Sequence, residues 1–113
     1  MSGEISSSQV ITELMRIRQE MSKGAEALYQ AEVRLAEAEN EAEVTLQRGY
    51  IKATGTNTDR VAISRYEAAE ARFQADLRKA EVNRIKTKLK HLELAQMSFQ
   101  SIGRQLELEA KLG

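Results

Sequence analysis

Apolar and small residues return every seven positions through the first half of the chain, at Val10, Ile17, Gly24, Ala31, Ala38 and Thr45. Leu14, Met21, Leu28, Leu35, Ala42 and Gly49 hold the companion positions. This is an a/d heptad sustained over about six repeats, the pattern that keeps one helix face against a partner helix. In the second half, Tyr66, Ala69, Phe73, Leu77 and Ala80 form one stripe. Ile85, Leu89, Leu92, Gln96, Phe99, Ile102 and Leu106 form another, offset by about one residue. The offset predicts a stutter near residues 80–85, a local unwinding of the supercoil. Strand-like alternation is absent.

One segment interrupts the periodicity, KATGTNTD at residues 52–59. Gly55 suits the left-handed conformation that ends a helix, and Lys52 suits the negative end of the helix dipole. Thr58 fits an N-cap, with Asp59 in the next first turn. The expected organisation is a flexible N-terminus over residues 1–7 and one helical-hairpin domain over residues 8–113. Within it, helix 1 covers about 8–53, the turn about 54–58 and helix 2 about 59–112. So short a connection forces antiparallel neighbours. With the turn centred near residue 55 or 56, position i faces about 111 minus i, which sets Phe73 opposite Ala38 and Ala80 opposite Ala31. The fold class is therefore all-α, a long antiparallel two-helix coiled-coil hairpin.

Composition strengthens this reading. The 113 residues include no Pro, Cys or Trp, and aromatics are 4%. A spherical core would need more bulk, whereas abundant Ala, Glu, Lys, Leu and Arg are typical of coiled coils. Net charge is zero, but it is unevenly divided. Residues 1–50 hold nine acidic and five basic groups, and residues 51–113 hold eight acidic and twelve basic. Opposite balances favour pairing of the two helices, each exposed ion pair adding only a few tenths of a kcal/mol.

A single hairpin buries one stripe per helix, little apolar area against the cost of ordering the chain. Helix 1 carries a second partial stripe of Tyr29, Val33, Ala36, Val44 and Ile51, with Asn40 among them. On helix 2, Ile63, Leu77, Val82 and Leu108 fall outside the tightest seam. These positions predict a homo-oligomer in which a second hairpin packs alongside as a four-helix bundle. Asn40 reads either as a solvated residue, the commoner case, or as a register-setting Asn buried at the dimer interface.

Candidate chemistry is sparse. His91 is the single histidine, set in KLKHLEL, and no orienting group accompanies it nearby. Glu39 and Glu43 share a helix face, but no Glu-x-x-His pair accompanies them. TGTNTD matches neither a phosphate loop nor a calcium loop. No catalysis, metal or cofactor is expected. The run RKAEVNRIKTKLKH, residues 78–91, places Arg78, Lys79, Arg84, Lys86, Lys88, Lys90 and His91 around one acid, Glu81. It reads as a solvated face, or as a contact for nucleic acid phosphates or an acidic protein. Zero net charge and the absence of interleaved aromatics weigh against nucleic acid. Tyr50, Ile51 and Val61 form a candidate tip contact. No apolar run is long enough for a membrane span and the opening residues lack a signal-peptide pattern, so a cytoplasmic protein is expected.

Residues 11–17 (ITELMRI), 27–39 (ALYQAEVRLAEAE) and 51–60 (IKATGTNTDR) carry a resemblance to small coiled-coil accessory proteins of actinobacterial phages, encoded near recombination and replication genes. The resemblance implies an adaptor or accessory role in the host cytoplasm and assigns no functional residue. Flagellar and type III secretion stalk proteins are similar in pattern only. The secreted hairpins with a Trp-x-Gly turn are excluded, since the turn here reads Ala53-Thr54-Gly55. The expected function is non-enzymatic binding of itself and another protein. Nucleic-acid binding in recombination or replication, and a scaffold role in a larger assembly, are the alternatives.

Overall fold

A computed structural model describes residues 5–113 of the chain. It contains two helices, α1 (Ser7–Lys52) and α2 (Asn57–Leu112), joined as an antiparallel hairpin. Two compact units make up the hairpin: Leu28–Arg84, which contains the turn, and the start of α1 through Ala27 paired with Ile85–Gly113.

Both helices begin at a reciprocal cap. The backbone N–H of Gln9 donates to Ser6 Oγ at 3.2 Å, and the Ser6 N–H donates to Gln9 Oε1 at 2.7 Å. This capping box satisfies two donors that the first turn would otherwise leave bare. It starts α1 at Ser7, inside the segment expected to be flexible; residues 1–4 of that segment lie outside the described residues. At α2, the Asp59 N–H donates to Thr56 Oγ1 and the Thr56 N–H to Asp59 Oδ2, both at 3.2 Å. Thr56, not the expected Thr58, is therefore the cap, and the turn is residues 53–56. Thr56 wins because Asp59 stands three residues on, where its carboxylate reaches back to the cap's own N–H. Gly55 takes φ 111°, the left-handed backbone that its missing Cβ allows.

The α1 seam follows the expected heptad at every position. Val10, Ile17 and Ala31 are buried, and Leu14, Met21, Gly24, Leu28, Leu35, Ala38, Ala42 and Thr45 are half-buried. The register is two residues from expectation. Gly24 meets Leu89, Gly103 meets Val10, and Gly49 meets Ser64, so i faces about 113 minus i.

The α2 seam in the turn unit departs further. Ser64, Ala68, Ala75 and Val82 are buried, with Val61 and Ala71 half-buried. Tyr66, Ala69, Phe73, Leu77 and Ala80, the expected stripe, are exposed, and Leu77 thereby lies outside the seam, the other position expected of it. The inward positions 61, 68, 75 and 82 keep the same seven-residue phase as Leu89, Gln96 and Gly103 in the other unit. No stutter is needed, because the offset stripe is not the seam. Small residues occupy this seam because the backbones run close. An atom added at the Cβ position of Gly49 would lie 3.2 Å from Ser64 Cα, so the two backbones run close at that layer.

Candidate interaction surfaces

Seating small residues inward turns large ones outward. On α2 in the turn unit, Ile63 is 40% exposed, Tyr66 84%, Phe73 54% and Leu77 47%. They recur at steps of three, seven and four residues, so they share the side of α2 turned away from α1. Tyr66 and Phe73 lie outside the expected oligomer surface because their bulk favours the seam in sequence. The signal that identifies them is the inward phase counted back from Leu89. Val82 moves the other way. At 4% exposed it belongs to the seam and cannot serve an outer surface, since its heptad position matches Ala75 and Ala68.

On α1, Tyr29 and Ile51 are 63% and 74% exposed, and Val44 is also exposed. Ala36 and Asn40 lie on the same outward side, exposed, while Val33 is half-buried. Asn40 is therefore a surface residue of the hairpin. Gln47, Arg48 and Lys52 interrupt the apolar surface around Val44 and Ile51, where they share a shallow groove.

The basic run does not form one patch. In the turn unit, Arg34 Nη2 donates to Glu81 Oε1 at 2.8 Å, and Arg78 Nη1 to Glu81 Oε2 at 3.4 Å. The Arg34 hydrogen bond lowers the Glu81 pKa from its ordinary value; desolvation opposes this, and the charges of both arginines and the Arg78 bond add to it. Arg78 is thus engaged. Lys79 lines a groove with Arg72 and the acids Glu39, Glu43 and Asp76, so carboxylates offset its charge locally. Arg84 is exposed. In the other unit, Lys86, Lys88, Lys90 and His91 are exposed. Lys86 and Lys90, four apart, share one side of α2, but Lys88 is about 200° round the helix from each. Spacing of two residues along a helix scatters charge that looks concentrated in sequence.

The tip closes on itself. Tyr50 Oη donates to Asn57 Oδ1 at 2.6 Å. Arg60 donates from Nε and Nη2 to the Tyr50 carbonyl at 3.3 and 3.1 Å, and its guanidinium lies 4.2 Å from the Tyr50 ring centroid. Arg60 therefore caps a carbonyl in the last turn of α1 and stacks on the ring of the same residue. Of the expected tip contacts, Tyr50 is held by these bonds and Val61 is half-buried beside Ser64; Ile51 is open. Arg60 escaped the sequence reading because its partner lies ten residues away across the turn.

At the open end of the other unit, Val10, Ile11, Leu14, Gly103, Leu106 and Ala110 line an apolar groove. Among the described residues, no three His, Asp or Glu side chains gather as a metal-binding group. Among the same residues, no helix is long and apolar enough to cross a membrane. No family model matches the chain, and no curated protein or solved structure is detectably similar to it.

Proposed function

We propose that this chain is a non-enzymatic coiled-coil assembly protein that works by binding protein, and that one partner is a second copy of itself. The observation that carries the reading is the outward row Ile63, Tyr66, Phe73 and Leu77. Four large apolar side chains at helical spacing on one exposed face resemble a helix seam without its partner helix. The α1 residues Tyr29, Val44 and Ile51 extend the apolar surface available to another protein. The resemblance carried by residues 11–17, 27–39 and 51–60 supports an accessory role of the kind found in phages, in the host cytoplasm. Light scattering over a dilution series tests the reading. A mass above that of one chain at micromolar concentration is expected, and the mass of one chain throughout would overturn it.

Accessory nucleic-acid binding is the second reading, favoured by Lys86 and Lys90 sharing one exposed side of α2. Fluorescence anisotropy at low salt with DNA and RNA tests it. No binding, or binding unchanged in a Lys86→Glu, Lys88→Glu, Lys90→Glu variant, removes it.

A further inference from the structure

The outward row on α2 has a period and a boundary. Ile63, Tyr66, Glu70, Phe73, Leu77 and Ala80 step by three and four residues, a second heptad running beside the inward one. A period near 3.5 stays on one face of a left-handed supercoil. The outward set on α1 advances about 3.7 residues per step from Tyr29 to Ile51, and drifts round its helix. Only the α2 row therefore offers a straight seam to another helix. The row ends at charges: the same face carries Asp59 one step before Ile63 and Arg84 one step after Ala80.

From this row we infer that the protein forms a two-fold dimer in which α2 packs antiparallel against α2 of a second copy, with residue j opposite about 143 minus j. The inference rests on the self-association proposed above and specifies its face and direction. In this register Asp59 meets Arg84, Ile63 meets Ala80, Tyr66 meets Leu77, and Glu70 meets Phe73, each pair formed twice. Both ends of the seam join opposite charges, and large side chains meet smaller ones between them. The flanks agree: Glu67 falls beside Gln74, Ala69 beside Asp76, and Arg60 beside Glu81, with no like charges opposed. Glu70 and Phe73 sit closest to the axis, and Glu70 Oε1 already accepts from Gln74 Nε2 at 3.0 Å, which occupies one oxygen. Shifting by one heptad sets Asp59 against Leu77, or Tyr66 against Arg84, and loses the match. The row's centre lies about 160° round α2 from the seam's centre, so the four helices stand in a row with both α2 helices central, not around a shared core.

The chain has no cysteine, so single thiols report cleanly. Tyr66→Cys and Leu77→Cys replace exposed side chains outside the seam, which preserves the hairpin. Each variant alone, and an equal mixture of the two, is held under oxidised glutathione and run on a non-reducing gel, with the mass of wild type measured alongside. A disulfide dimer from the mixture, and little from either variant alone, is the expected result. Like thiols would sit eleven residues apart along the axis, about 16 Å, beyond the reach of a disulfide. Strong cross-linking of Tyr66→Cys with itself would indicate parallel packing and overturn the inference. A wild-type dimer whose mixture does not cross-link would overturn this face and register while leaving self-association intact. A wild-type monomer would overturn both. As a second readout, Phe73→Glu is expected to weaken association at least about 100-fold by placing a carboxylate in the new seam; unchanged association would count against the face.

Discussion

Side-chain volume at single positions decides which way each residue of this hairpin points. At Gly49 an added Cβ would lie 3.2 Å from the Ser64 backbone, whereas at Gly103 it would lie 3.4 Å from Val10 Cγ1, an ordinary contact. Replacing a mid-helix Gly by Ala gains up to about 1 kcal/mol where space allows. Gly103→Ala should therefore stabilise the protein by about 0.5–1 kcal/mol. Gly49→Ala should destabilise it by about 1 kcal/mol, the overpacking exceeding the helix gain. Urea titrations of both variants check the opposite signs. The same volume effect limited what could be read from sequence. Val10, Leu14, Ile17 and Met21 are apolar and large enough to mark the α1 seam directly. Ser64, Ala68 and Ala75 give almost no hydropathy signal, so Tyr66, Phe73 and Leu77 outweighed them although the small residues are the ones buried.

Within each element, the ends are fixed by local polar pairs and the flanks by a few ions. Thr56 and Asp59 exchange hydrogen bonds at the start of α2, so Thr56→Ala should cost about 1 kcal/mol and lower the thermal midpoint, whereas Thr58→Ala should change little. That cap was legible as chemistry, a Thr beside an Asp, but not as a position, because two threonines compete two residues apart. Glu81 joins the helices through Arg34. Its pKa is lowered in the folded chain. The unfolded state therefore binds more protons in the acid range, so the contribution of Glu81 is complete above the ordinary carboxylate value and is lost as pH falls through the lowered one. Between about pH 6 and pH 3, Arg34→Met should lose less stability than wild type, as read by urea midpoints at each pH. The basic run shows the limit of reading charge along a line. Arg78 is turned to Glu81 and Lys79 towards a groove with Glu39, Glu43 and Asp76, neither of which the order of residues reveals.

For the whole molecule, the hairpin topology was legible because one break, KATGTNTD, separates two long periodic segments. What covers the outer face was not, since the misassigned seam concealed which large residues are left over. The α2 seam of the turn unit, with Ser64, Ala68 and Ala75 inward, buries little apolar surface, while Tyr66 and Phe73 stay in water. If a second copy covers them, folding and association are linked, and stability depends on concentration. The most direct measurement is the thermal unfolding midpoint, followed by circular dichroism, at chain concentrations from about 1 to 100 μM. A midpoint that rises steadily with concentration is the expected result; a midpoint that does not move across that range would contradict self-association through the uncovered face.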